Sequence, residues 1–251
     1  MIATVLQPSA AKSFESIVVF GDSLSDNGNA GRFSNGPVWV EQLARGLGLP
    51  LAPSSQGGTN YAVGAARAED VFQQIEQFLA TRPTDLGHAL VVVYAGGNDV
   101  RALDREDPTI VLRRAVRLLG RGIAELADAG ATRFLVPNLP DIGLSAEAIR
   151  AGDATAAAMT AVSIAFNHEL ALEIDRLSHA YPITIRTVDV FALHRSVVAD
   201  PAAHGFTNVR DPCLGRCAEP DRWLLWDPIH PTTAAHARLA EASSRALLEK
   251  H

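Results

Sequence analysis

The sequence predicts an α/β protein built on a parallel sheet with helices on both faces. Two observations predict it. Four short apolar runs of strand length, rich in Val, Ile, Phe or Tyr, recur along the chain, as strands buried on both faces suggest. Between them lie longer segments whose apolar residues return every three or four positions. No internal repeat, low-complexity tract or linker interrupts this alternation. One domain over residues 14–251 is therefore expected, behind a loose tail at 1–13.

The elements follow in order. Ile17–Phe20 is the first strand, and it ends abruptly at Gly21 and Asp22. Val38 to Leu47 reads as a helix. Val71 to Leu79 is another, with Val71, Ile75, Phe78 and Leu79 on one face. Ala89–Tyr94 is the second strand, closed by Gly96 and Gly97. Ile110 to Ala127 places Leu112, Val116, Leu119, Ile123 and Leu126 at helical steps. Arg133–Val136 is the third strand, followed by Pro137 and Asn138. Ala154 to Leu177 repeats the helical stripe with Met159, Val162, Phe166, Leu170, Ile174 and Leu177. Thr184–Val188 is the fourth strand, and Thr232 to Leu248 is a closing, Ala-rich helix. Every one of these stripes is explained by core packing alone.

Composition bounds the function. The 251 residues are 47% hydrophobic and 20% charged, which is ample for a large core. A net charge of −6, with no basic stripe, argues against a nucleic-acid partner. No apolar run approaches the ~20 residues of a membrane span. Met1 to Lys12 lacks the basic start and long apolar stretch of a signal peptide. The two cysteines, Cys213 and Cys217, lie in "CLGRC" beside Pro212. They read as a disulfide closing a small loop, with a free pair as the alternative; two cysteines alone make no four-ligand zinc site.

The residues just after each strand carry the chemistry, because sites in such sheets gather at the carboxyl ends of the strands. "FGDSLSDNGN" puts Ser23 where the chain leaves the first strand and is expected to turn into a helix; taken alone it is an N-cap serine. "AGGND" puts Asn98 after the second strand; taken alone it is a Gly-Asn turn. Gly64, in "NYAVGAA", can present a bare N–H, or be a loop glycine only. "WDPIHPT" sets Asp227 three residues before His230, stiffened by Pro228 and Pro231. A carboxylate at that spacing can curl onto one imidazole nitrogen and leave the other free to take a proton; the alternative is a helix entry with His and Pro near its first position. Acyl transfer needs a nucleophile, a base, an orienting acid and oxyanion donors, and together these pieces fill all four roles. His88, His168, His179, His194, His204, His236 and His251 have no such context and read as surface or core. G-x-S-x-G, H-E-x-x-H, P-loop and G-x-G-x-x-G patterns are all absent.

"FGDSLSDNGN", "NYAVGAA", "GGND" and "WDPIHPT" resemble, in order, the blocks of the GDSL esterases and lipases, the SGNH hydrolases. "GRFSNGPVWVEQLA" and "VPNLPDIG" also look like segments of these enzymes. The resemblance runs from about residue 16 to 245 and implies a three-layer α/β/α sandwich, flavodoxin-like, with about five parallel strands. It implies Ser23 as nucleophile, His230 as base, Asp227 as the third triad member, and Ser23, Gly64 and Asn98 as oxyanion donors. Asp22, Asp26 and Asp99 would be structural. It implies ester hydrolysis without metal or organic cofactor, on a small-molecule ester. Lipase, lysophospholipase and acyltransferase activities, or a non-catalytic binding module, are the alternatives. Few large aromatics point to short acyl chains and an open cleft; Trp39, Trp223 and Trp226 are cleft-wall or core candidates. "DIGLSAEAIRAGDAT" departs from the family wording and is expected to border the cleft. The cysteine pair and the family suggest a secreted or periplasmic protein, with a cytoplasmic one as the alternative. The sequence does not specify an oligomeric state.

Overall fold

The four apolar runs become the sheet. In the computed structural model, which describes residues 14–103 and 107–249, β1 (Ser16–Gly21), β2 (Ala89–Tyr94), β3 (Arg133–Pro137) and β4 (Thr184–Val188) pair in parallel, in the order β1-β2-β3-β4. All six residues of β2 are buried, as a central strand covered on both faces requires. β4 is an edge strand, and only Val188 of its five residues is buried. The tail expected at 1–13 lies outside the described residues.

The resemblance implied about five strands, and the main sheet has four. Residues 59–63 run alongside the free edge of β1. Val19 donates to the Thr59 carbonyl at 3.0 Å, Tyr61 to the Val19 carbonyl at 2.7 Å, and Val63 to the Gly21 carbonyl at 3.1 Å. Only one bridge forms, Val19 with Asn60. Asn60 is also tied to a turn, donating its own N–H to the Ala52 carbonyl, so the segment does not extend as a regular strand. A separate two-stranded parallel sheet joins β5 (Asn208–Pro212) to β6 (Trp223–Leu225). It escaped the sequence reading because β6 is three residues long and "NVRDP" carries no apolar run.

The five helices that the periodicity marked are present as α1 (Trp39–Gly46), α2 (Ala68–Ala80), α4 (Pro108–Asp128), α6 (Asp153–Ala180) and α8 (Thr233–Leu248). α4 starts where Asp107 accepts the Thr109 N–H at 2.8 Å, with Pro108 in the first turn. α2, α4 and α6 pack side by side as one layer, and α1 packs against α8 in the other. Three helices went unmarked. α3 (Gly97–Arg101) and α5 (Ala146–Arg150) have five residues each, too few to show a 3.6-residue period, and α7 (Val190–Ala199) follows β4 almost without a break.

The carboxyl end of the sheet is held by close approaches. A Cβ on Gly21 would stand 2.5 Å from the Tyr94 carbonyl oxygen, so only glycine lets β1 and β2 leave the sheet together. Gln74, a buried residue of α2, grips the end of β1 from the side. Its Oε1 accepts the Gly21 N–H and its Nε2 donates to the Gly21 carbonyl, both at 3.0 Å. Gln74→Leu should therefore strand the buried Gly21 N–H and lower stability by about 1–3 kcal/mol. Guanidinium denaturation checks this, and an unchanged midpoint would contradict it.

Candidate active site

The chain leaving β1 makes a tight turn rather than the helix start that the sequence suggested. Ser25 and Asp26 both donate their N–H groups to the Asp22 carbonyl, at 3.0 and 2.9 Å. This is one helical turn that is not continued, since α1 begins only at Trp39. Asp22 Oδ1 accepts the Leu24 N–H at 3.0 Å and closes the turn from below. Ser23 stands at its crest, and its own N–H has no partner among the described residues.

A second loop brings the base. Between β6 and α8 the chain doubles back. Trp226 donates to the His230 carbonyl at 2.8 Å, Leu225 bridges Pro231, and Thr232 donates to the Leu224 carbonyl at 2.9 Å before capping α8. Within this loop Asp227 Oδ1 accepts the N–H groups of Ile229 and His230, at 2.9 and 2.8 Å. Its other oxygen, Oδ2, lies 2.6 Å from His230 Nδ1. The imidazole is thereby turned so that Nε2 lies 2.9 Å from Ser23 Oγ. Ser23, His230 and Asp227 thus meet, 207 residues apart at the widest step. The Phe33 ring packs on the imidazole with centroids 5.1 Å apart.

Asn98 lies in α3, on the cavity of about 80 Å³ that also holds Ser23 and His230. Its Nδ2 donates to the Ala66 carbonyl at 2.9 Å, which leaves its second N–H unspent. Arg101 Nη1 reaches Asn98 Oδ1 at 3.3 Å, which fixes which end of the amide is which. The same guanidinium grips Glu147 with two bonds of 2.8 and 2.9 Å.

Gly64 departs from the expectation. Its N–H is donated to Asp26 Oδ2 at 2.8 Å, and Gly64 does not line the cavity. Its lack of a side chain serves packing instead, because a Cβ there would run into the Phe33 ring that rests on His230. The next amide, Ala65, has no partner among the described residues and belongs to a residue with φ of +64°. Asp26 explains the exchange: its two oxygens also accept from Gly28, Asn29 and Ala30, so this buried carboxylate organises the whole loop.

Leu139, Pro140, Asp141, Ile142 and Ser145 form one wall, so the segment expected to border the cleft does so. Trp39 is buried in the core, donating its indole N–H to Ser25 Oγ at 3.1 Å, and neither Trp223 nor Trp226 lines the cavity. His194 does line it, although the sequence offered no partner residue that would have marked it. Cys213 and Cys217 form a disulfide. The loop they close donates from Cys213 and Leu214 to the carbonyls of Leu225 and Trp226, the residues leading to Asp227. Among the described residues no group of three or more His, Cys, Asp or Glu is placed to hold a metal ion, and no helix is long and apolar enough to cross a membrane.

The charges divide sharply. Burial pushes the Asp22 carboxyl up to about 6, against an ordinary 3.8. Burial raises Asp227 too, but bonds from His230 and from the Ile229 and His230 N–H groups outweigh it and hold this carboxyl below its usual range. Asp227 is therefore the anion that faces the imidazole.

Residues 17–243 match the family model for GDSL-like lipase/acylhydrolase. The chain is 28% identical to the thermolabile hemolysin of Vibrio parahaemolyticus over 90% of its own length and 62% of that protein. It is 26% identical to the phosphatidylcholine-sterol acyltransferase of Aeromonas hydrophila over 96% and 92% of the two chains. It spans 24% of a further relative, Lipase 1 of Photorhabdus luminescens. Among solved structures it is similar to Axe2, an acetylxylan esterase from Geobacillus stearothermophilus, with a TM-score of 0.60 at 18% identity over 95% and 96% of the chains. That likeness is one of fold.

The Asp22 shift has a signed consequence. Between pH 3.8 and about 6 the unfolded chain releases this proton while the folded chain keeps it. Asp22 therefore costs stability as pH rises through that window, and the cost is complete above it. Asp22→Asn keeps the acceptor for Leu24 but cannot ionise. Its melting temperature relative to the native protein should be higher at pH 8 than at pH 4; an equal difference at both pH values would contradict the buried carboxyl.

Proposed function

The chain belongs to the GDSL-like lipase/acylhydrolase family, and on that premise we propose a carboxylic ester hydrolase, a serine esterase that works through an acyl-enzyme on Ser23. The observation that carries this reading is the continuous chain of contacts, Asp227 Oδ2 to His230 Nδ1 at 2.6 Å and His230 Nε2 to Ser23 Oγ at 2.9 Å.

His230 takes the Ser23 proton as Oγ attacks the ester carbonyl. Asp227 stays ionised and stabilises the imidazolium, a role that its lowered pKa favours. The tetrahedral oxyanion is held by the Ser23 N–H and the unspent N–H of Asn98 Nδ2. Gly64 has given its amide to Asp26, and Ala66 of the same loop accepts from Asn98 through its carbonyl. His230 then protonates the leaving alcohol. Water, losing a proton to the same nitrogen, attacks the acyl-enzyme, and the acid departs as Ser23 recovers its hydrogen. Small, short-chain esters are the proposed substrates. Export to an oxidising compartment, secreted or periplasmic, accords with the Cys213–Cys217 disulfide.

A second reading passes the acyl group to an alcohol instead of water. The similarity to the Aeromonas acyltransferase motivates it. Hydrolysis in the presence of glycerol separates the two, since acyl glycerol among the products marks transfer.

Ser23→Ala should keep its fold by circular dichroism and lose at least about 10⁴-fold of kcat/KM on p-nitrophenyl butyrate. Retained activity in the folded variant would remove Ser23 from the mechanism. Asn98→Ala should lower kcat by ~10²–10³, the effect of losing one oxyanion donor. A kcat within twofold of the native enzyme would exclude that role.

A further inference from the structure

A second cavity, of about 120 Å³, lies against the one that holds Ser23. The two share Leu24, Pro140, His194, Leu225 and Ile229. Leu24 directly follows the proposed nucleophile and Ile229 directly precedes the proposed base, so the second cavity adjoins the reacting pair. Its body is aliphatic and aromatic, formed by Leu193 and Val197 of α7, Phe206, Leu224 of β6 and Leu239 of α8.

The polar groups in this wall include two imidazoles, the Tyr94 hydroxyl and Arg238, whose Nε is buried without a hydrogen-bond partner among the described residues. Burial lowers His194 to about 4 and His236 to about 3, so both imidazoles are neutral at working pH. Arg238 directs its Nη1 at Glu241, at 3.0 Å. Tyr94 Oη and the Nδ1 atoms of His194 and His236 have no hydrogen-bond partner among the described residues, and all three side chains stand on this one cavity.

We propose that this cavity receives the acyl chain of the ester, so that the enzyme favours acyl groups of about four to six carbons. The assignment rests on the Ser23 acyl-enzyme reading. An acyl-enzyme must keep its acyl group while alcohol leaves and water enters. The cavity around Ser23 is bordered by Asp22, Asn98, Arg101 and Ser145, a wettable side suited to that exchange. The apolar branch remains for the part of the substrate that stays. Its size sets the length: an apolar cavity of about 150 Å³ accommodates a six-carbon ring, so this smaller one is filled by about four to six carbons.

A series of p-nitrophenyl esters from acetate to decanoate tests the proposal in the native enzyme and in two variants that move the wall in opposite directions. The native profile should peak between butyrate and hexanoate. Leu193→Ala should raise the decanoate-to-butyrate ratio of kcat/KM, and Leu193→Trp should lower the hexanoate-to-acetate ratio, each by about fourfold per methylene gained or lost. Either variant suffices if the other fails to fold. Ratios that stay fixed in a folded variant that hydrolyses acetate overturn the proposal. So do ratios that respond only when the alcohol is lengthened on a fixed acetyl group. A native enzyme inert toward every ester, or a Ser23→Ala variant as active as the native one, instead overturns the acyl-enzyme reading beneath it.

Discussion

Everything in the site depends on the 2.9 Å contact between His230 Nε2 and Ser23 Oγ. Neither partner has a long, adjustable reach. The serine is carried on a turn fixed to the end of β1, and the imidazole on a loop between β6 and α8. Their meeting therefore demands that the sheet edge and the final helix keep their separation closely. Contacts between the two halves of the chain do this. Ser34 donates to the Pro231 carbonyl at 2.9 Å, Asn35 accepts the Thr233 N–H at 2.8 Å, and Gln42 donates to the Thr233 carbonyl at 3.0 Å. The segment after the serine turn and the first helix thus hold the histidine loop in place, and α1 packs on α8 behind them.

The loops that carry the site have little apolar surface, and buried carboxylates and amides organise them instead. Asp26 gathers four N–H groups, and Asn60 ties the Ser25 carbonyl to Asn27. Asp141 accepts from Gly143, Thr160 and Arg195 and so holds the wall opposite Ser23. Asp99 accepts the Ala68 N–H and links α3 to α2. Each is stabilising only as part of a satisfied network, because a buried polar group without partners costs more than a good bond returns. Burial raises the Asp99 and Asp22 carboxyls alike, and Asp22, with a single backbone bond, is left with its raised pKa directly before the serine.

The site blocks were legible because each role needs a particular residue type with particular neighbours. Asp227 and His230 can be paired from spacing alone, as the prolines around them stiffen a short loop. The long helices and the four main strands were legible from periodicity, since one face or both must be buried. What was not legible is decided in three dimensions. Gly64 looks like a free amide donor in sequence, yet Asp26, 38 residues earlier, accepts that amide. His194 has no telling neighbours and reaches the cavity only because α7 packs beside it. Residues 59–63 carry no strand signal in the sequence, yet they lie along β1 through three backbone bonds. α3 and α5 are too short for any period to declare them.

The central claim is that one serine, activated by one histidine, is the nucleophile. Covalent labelling with a fluorophosphonate, read by mass spectrometry of the peptides, tests it most directly. The account predicts a single phosphonyl adduct on Ser23 at neutral pH, which fails to form in a folded His230→Ala variant. Adduct formation on another residue of the active native enzyme, or labelling of Ser23 at an undiminished rate without His230, would contradict it.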